Sequence, residues 1–209
     1  MPDNKTMLRV VRFDGGPETM VPFVRDQMTL GSKADIMPPD DPFLAPVQAR
    51  FTISSGKLTV DDVGSGNGVF IRLKVQADRD LVPGNELRVG RQRLLIEALP
   101  AAQPGVWGSK DPGYKARLVQ IYEGGRRGDV FPIKDGEVAL GRELGDIVFP
   151  GDGFVSGRHA TFLFKNGRLS VKDLGSSNGT FFRLMQPTVV EHGDQLLIGR
   201  HLVKVEKQA

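Results

Sequence analysis

Three short runs in the second half of the chain set cationic, hydroxyl and amide side chains beside glycines. They are Gly141-Arg142, Ser156-Gly157-Arg158-His159 and Gly175-Ser176-Ser177-Asn178-Gly179-Thr180, all within 40 residues. Such groups suit the holding of a phosphate and the backbone next to it. A phosphorylated side chain carries nearly two negative charges and three acceptor oxygens. Arginine offers a fixed fork of donors that meets two oxygens together. Serine hydroxyls and free backbone N–H groups fill the remaining positions, and glycine lets the loop approach closely. Arg142, Ser156, Arg158 and Ser177 meet these needs if strands bring the three loops to one end of a sandwich. Asn178 suits a second role, because an amide that donates and accepts can clamp the main chain beside the phosphoresidue.

Other chemistries fit less well. Ser156 and His159 could form a nucleophile–base pair, but no carboxylate recurs as an orienting partner, so no enzymatic activity is expected. His159, His192 and His201 lack metal-ligand spacing, and there is no cysteine to help them. No metal or cofactor is therefore expected. The glycine-rich runs at 64–68 and 175–179 are not followed by Gly-Lys-Ser/Thr, so a nucleotide-binding P-loop is unsupported.

The elements that must position these loops are short. Gly and Pro total 40 of the 209 residues, and the longest stretch free of both is 69–82. A helix of average length needs about 11–12 residues, which leaves almost no room for one. The segments between breakers alternate with period two, as in Arg168-Leu169-Ser170-Val171-Lys172 and Lys57-Leu58-Thr59-Val60-Asp61. That pattern predicts half-buried strands. Lys165-Asn166-Gly167-Arg168 predicts a hairpin through its Asn-Gly pair. The expected fold class is all-β, antiparallel sandwiches joined by turns.

The pattern occurs twice. Residues 35–73 align with 146–184 without gaps, and 18 of the 39 positions are identical. Matched positions such as Phe43/Phe154, Phe51/Phe162 and Leu58/Leu169 read as scaffold. Farther on, Gly84-Asn85-Glu86-Leu87 answers Gly193-Asp194-Gln195-Leu196, and Val89-Gly90-Arg91 answers Ile198-Gly199-Arg200. Two copies of this size predict two complete tandem domains, 7–99 and 114–207. The Pro- and Gly-rich stretch 100–113 between them reads as an extended linker. Trp107 within it is expected to pack against one domain, because an indole buries a large apolar area.

Composition narrows the partners. Hydrophobic residues make up 39% and charged residues 25% of the chain, as in soluble globular proteins. No apolar run approaches the ~20 residues that span a bilayer. Met1-Pro2-Asp3-Asn4-Lys5 leads into no apolar signal core. With zero cysteines, the expected compartment is the cytoplasm, with no membrane contact. Formal net charge is +3, no Lys/Arg run exceeds two, and there is one Trp, which argues against nucleic acid.

In this order, the Gly-Arg, Ser-x-x-His and Gly-Ser-Ser-Asn-Gly-Thr elements of 114–207 resemble the forkhead-associated (FHA) domain. That family is a β-sandwich whose loops bind phosphothreonine peptides. The resemblance implies that Arg142 and Ser156 contact the phosphate, with help from Arg158, and that Ser177 and Asn178 contact the ligand. It makes His159 a brace for the loop, and places Gly141, Gly179 and Thr180 in structural support of the site. Gly157 departs from the pattern, since a polar ligand-touching side chain often follows the serine. The first half resembles the family in its scaffold only. Ser32 stands where Arg142 does, Ala45 for Ser156, Val47 for Arg158 and Gln48 for His159, while Asn67 remains. Residues 7–99 are read as a degenerate FHA domain.

The expected function is a non-enzymatic adaptor in Ser/Thr kinase signalling. Its second domain would recognise a phosphothreonine-containing protein, or the kinase itself, in a bacterial setting within the family's range. The partner's identity and the oligomeric state stay open. The alternative is a structural or assembly protein whose sandwich surfaces bind without phosphate. A further variant has phosphorylated Thr6 occupying the site of its own chain.

Overall fold

The computed structural model describes residues 6–12 and 15–207. Strands along the first repeat are β1 (Thr6–Val11), β2 (Thr19–Pro22), β3 (Gln27–Leu30), β4 (Ala49–Ser54), β5 (Lys57–Asp62), β6 (Val69–Arg72), β7 (Asp78–Leu81), β8 (Glu86–Val89) and β9 (Gln92–Glu97). Those of the second are β10 (Ala116–Ile121), β11 (Arg127–Ile133), β12 (Gly136–Gly141), β13 (Ile147–Val148), β14 (Ala160–Lys165), β15 (Arg168–Asp173), β16 (Thr180–Arg183), β17 (Thr188–Val190), β18 (Gln195–Ile198) and β19 (His201–Lys207). The one helical element among the described residues is a 3-10 turn at Glu123–Gly125. None of their helices is long and apolar enough to cross a membrane.

Local chemistry produces the expected hairpins. Lys165 pairs with Arg168 across Asn166 and Gly167, whose φ angles of 52° and 77° are those of a type I′ turn. In the first repeat the same turn is made by Ser55 and Gly56, at 50° and 71°. Alternation along the strands puts Leu58 and Val60, or Leu169 and Val171, into the interior.

The chain forms two antiparallel β-sandwiches, but their boundaries do not follow the repeats. One compact unit is the continuous segment Leu73–Phe182, and the other combines the chain up to Arg72 with the chain from Arg183 onward. The last three strands of each repeat are exchanged. In the continuous unit, β7 pairs with β15, β8 with β16 and β9 with β10. Its sheets run β11-β10-β9-β8-β16 and β13-β12-β14-β15-β7. In the other unit, β17 pairs with β5, β18 with β6 and β19 with β1. Its sheets run β6-β18-β19-β1-β2 and β17-β5-β4-β3.

Both cores are mixed accordingly. Leu87, Leu94 and Ile96 of the first repeat are buried with Leu118, Ile133 and Phe162 of the second. Val190, Leu196, Val203 and Val205 of the second repeat pack with Leu8, Phe51 and Val60 of the first.

The division into 7–99, 100–113 and 114–207 is thereby corrected. The stretch 100–113 is not an interdomain linker. It joins β9 to β10, adjacent antiparallel strands that register Glu97 opposite Arg117 within one unit. Trp107, expected to pack, is 97% exposed, because a loop between neighbouring strands crosses no sandwich face that could bury it. Thr6 is buried at the start of β1, opposite Lys207, and so is not presented for phosphorylation.

The exchange has a local physical basis. The strands that change places carry the same turn chemistry and the same alternation. Val82 N–H donates to Asn85 Oδ1 at 2.9 Å, and Glu191 N–H donates to Asp194 Oδ2 at 2.8 Å. Gly84 N–H reaches the Ile96 carbonyl at 2.8 Å, and Gly193 N–H the Val205 carbonyl at 2.9 Å. The two sets of three strands therefore share their turn chemistry, while each is paired in one sandwich only.

Candidate functional site

The three motif-bearing loops meet at one end of the continuous unit. The Gly141-Arg142 turn leaves β12, the 149–159 loop leads into β14, and the 174–179 loop joins β15 to β16. Arg142 N–H donates to the Ser156 carbonyl at 2.9 Å, which clasps the first loop to the second. Gly141 has to be glycine, because a Cβ there would sit 2.1 Å from the Gly157 carbonyl oxygen and 2.5 Å from that of Leu144. Ser177 N–H donates to Ser156 Oγ at 3.1 Å, joining the second loop to the third. Asn178 Nδ2 donates to the Phe154 carbonyl at 2.9 Å.

His159 is fully buried and braces this assembly. Its Nδ1 accepts from Ser156 N–H at 3.0 Å, and its Nε2 faces the Gly179 carbonyl at 3.2 Å. An Nδ1 that accepts leaves the proton on Nε2, so the ring works as a neutral imidazole. Asp173 holds the third loop from beneath. Its carboxylate accepts from Gly175 N–H and Ser176 N–H at 2.9 Å, and from the Ser176 and Thr180 hydroxyls at 2.7 Å. Burial acts to raise the Asp173 carboxyl. The hydrogen bonds from Ser176, Thr180 and Gly175 outweigh it and hold the group below the usual aspartate range. Gly179, at a φ of 86°, supplies the left-handed turn that returns the chain to β16.

These loops enclose an open cleft of about 230 Å³ lined by Arg142, Ser156, Ser177 and Asn178, together with Gly157 and the run Gly153–Val155. Four of the five residues expected to touch a ligand therefore face one space. Arg158, the fifth, is exposed on the same loop but does not line the cleft. Arg142 is partly exposed, and its Nε and Nη2 donate to Glu143 Oε1 at 3.0 and 2.7 Å. Gly141, His159, Gly179 and Thr180 lie behind the lining in supporting positions.

By its repeat Phe154 reads as scaffold. It is 47% exposed and forms part of the wall. Its identity with Phe43 masked this, since a repeated aromatic reads as core. Among the described residues no group of three or more His, Cys, Asp or Glu is placed to hold a metal ion.

The other unit repeats the scaffold with different side chains. Ser32 N–H donates to the Ala45 carbonyl at 2.9 Å, as Arg142 does to Ser156. Asn67 Nδ2 donates to the Phe43 carbonyl at 2.7 Å. Gln48 is fully buried where His159 stands and makes the same two links. Its Oε1 accepts from Ala45 N–H at 3.0 Å, and its Nε2 donates to the Gly68 carbonyl at 2.7 Å. Asp62 accepts from Gly64 N–H, Ser65 N–H and the Ser65 hydroxyl, as Asp173 does from its own loop. The loops keep their course, while Ser32, Ala45 and Val47 offer no cation and no hydroxyl at the positions of Ser156 and Arg158.

The family model for the FHA domain matches residues 25–90 and 138–199, following the repeats rather than the compact units. The oxoglutarate dehydrogenase inhibitor of Corynebacterium efficiens is 35% identical over 107 residues, 49% of this chain and 72% of that protein. The glycogen accumulation regulator GarA of Mycobacterium tuberculosis is 32% identical over 85 residues, 40% of this chain and 52% of that one. Among solved structures, the FHA domain of the CT664 protein from Chlamydia trachomatis aligns over 98% of this chain and 99% of its own, at 11% identity and a TM-score of 0.40. With two matches to the family model over more than half its length, the chain belongs to the FHA-domain family.

Proposed function

We propose that the chain is a non-enzymatic phosphoprotein-binding adaptor whose one working site is the cleft of the continuous unit. FHA domains bind phosphothreonine peptides. The observation that carries the reading is the convergence of Arg142, Ser156, Ser177 and Asn178 on one open cleft. The Arg142 fork meets two phosphate oxygens, exchanging its contact with Glu143 for a doubly charged partner. Ser156 Oγ accepts from Ser177 N–H, which leaves its own proton to donate to a third oxygen. The Asn178 amide, fixed to Phe154 through Nδ2, turns its carbonyl oxygen to the peptide main chain. The other unit is silent toward phosphate, because Ser32, Ala45 and Val47 replace the groups that would neutralise it. Two relatives carry the names of an inhibitor and a regulator, which favours control of a partner by binding over catalysis. The partner is a protein phosphorylated on threonine by a Ser/Thr kinase, or the kinase itself.

Titration calorimetry of the intact chain with a degenerate phosphothreonine peptide library tests this, with phosphoserine and unphosphorylated libraries as controls. Binding of the phosphothreonine set alone, at one site and lost in Arg142→Ala, is the expected result. Two sites would overturn the silence of the other unit. Binding indifferent to phosphate would favour an assembly protein acting through its sandwich surfaces.

A further inference from the structure

The strand exchange brings a side chain of the first repeat against Phe154, a residue of the cleft wall. Arg91 follows β8, and its guanidinium carbon lies over the Phe154 ring, 4.9 Å from the centroid. The contact is built in by one buried carboxylate. Asp152 Oδ2 accepts from Arg91 N–H and from Gln92 Nε2, both at 2.7 Å, and Asp152 Oδ1 accepts from Phe154 N–H at 3.0 Å. Gly90 approaches so closely that a Cβ would lie 2.8 Å from Asp152 Oδ2. The turn that carries Arg91 is thus locked to the loop that carries Phe154, whose carbonyl is in turn held by Asn178.

A guanidinium laid over an aromatic face keeps its N–H donors at the edge. Arg91 is exposed, and among the described residues its guanidinium pairs with no carboxylate, whereas Arg142 already faces Glu143. Phe154 lines the cleft, so this unengaged fork stacks on a residue of the cleft wall without lining the cleft itself. Gly199-Arg200 makes the equivalent stack in the other unit, 4.5 Å from the Phe43 ring, beside loops without phosphate ligands.

We infer that Arg91 is a specificity-determining residue of the cleft, taking the carboxylate of an acidic residue that flanks the phosphothreonine. The inference rests on the phosphothreonine reading above. The reader's preference is then set by an arginine from the opposite repeat, and Arg200, the repeat-order candidate for that place, has no part in it.

Fluorescence titration of the intact chain with two phosphothreonine libraries tests the inference. One library carries Asp/Glu at the flanking positions and the other Asn/Gln. The intact chain should prefer the acidic library by about fivefold, the scale of an exposed charge pair. Arg91→Ala should erase that ratio and leave the neutral library bound as before, a change that a merely structural role would not make. Arg200→Ala should keep the ratio. An unchanged ratio in Arg91→Ala overturns the inference, as does a ratio lost in Arg200→Ala instead. Arg142→Ala separates the two readings. If it abolishes binding of both libraries, the phosphate site stands whatever Arg91 does. If it leaves both bound, the phosphothreonine reading fails and takes this inference with it.

Discussion

The two units hold the same three loops in the same course with different groups. In one, His159 ties Ser156 N–H to the Gly179 carbonyl, and in the other Gln48 ties Ala45 N–H to the Gly68 carbonyl. Both keep an asparagine donating to a phenylalanine carbonyl and an aspartate accepting from a serine turn. Loop geometry and phosphate chemistry are therefore separable. A neutral donor–acceptor brace is what the fold requires at position 48 or 159, and imidazole and primary amide both supply it. The proposed phosphate ligands Arg142, Ser156 and Ser177 have no counterpart in the other unit, whose loops keep the equivalent links.

The largest effect is expected from cutting the chain where the units, rather than the repeats, begin and end. A fragment comprising residues 73–182 should fold and bind phosphothreonine peptides by calorimetry. A fragment comprising 114–207 lacks β7, β8 and β9, and should give the poorly dispersed NMR spectrum of an unfolded chain. If 114–207 folds and binds while 73–182 does not, each repeat completes its own sandwich and the exchange is wrong.

Arg142→Ala comes next. Hydrogen bonds to charged groups contribute ~1.5–3 kcal/mol each, so losing the fork should weaken phosphopeptide binding by roughly 100-fold. The complementary graft, Ser32→Arg with Ala45→Ser and Val47→Arg, should raise the calorimetric stoichiometry from one site toward two. If the count stays at one, the unit is silent for a reason beyond its missing ligands.

At His159 the comparison forecasts a near-neutral exchange. His159→Gln should keep the melting temperature and peptide affinity close to the parent values, because Gln48 makes the same links. His159→Ala leaves a buried N–H and carbonyl without partners and should cost ~1–3 kcal/mol in denaturant unfolding. Equal damage by both substitutions would show that the braces are not interchangeable.

The smallest effect is in acid. The Asp173 carboxyl is depressed in the folded state, so its stabilising contribution is present above the ordinary aspartate value of about 4 and is lost as pH falls through the folded value. Thermal melts between pH 6 and about pH 3 should show a decline that Asp173→Asn flattens. An identical decline in the variant would assign the acid sensitivity to other carboxylates.

Much of this was readable in advance. The spacing of Gly141-Arg142, Ser156 and Ser177-Asn178 located the cleft, and period-two alternation with Asn166-Gly167 gave the strands and their hairpin. Arg158 shares the motif loop but lies outside the cleft lining, since a motif position does not fix where a long side chain points. Phe154 as lining and Arg91 stacked on it are not legible in the sequence, because both repeat identically and a repeated residue reads as scaffold.

The sequence by itself determined the all-β class, the doubling of the domain and the motif residues present in the second copy but missing from the first. These follow from side-chain chemistry and from patterns a few residues long. Tertiary structure alone decided which β7–β9-type strands complete which sandwich, and with them the place of Arg91 beside Phe154. Asn85 and Asp194 cap the same turn, and Leu87 and Leu196 fill the same interior position, so local energetics barely distinguish the two pairings. The choice belongs to the packing of whole sheets and the course of their connections, which no single strand encodes.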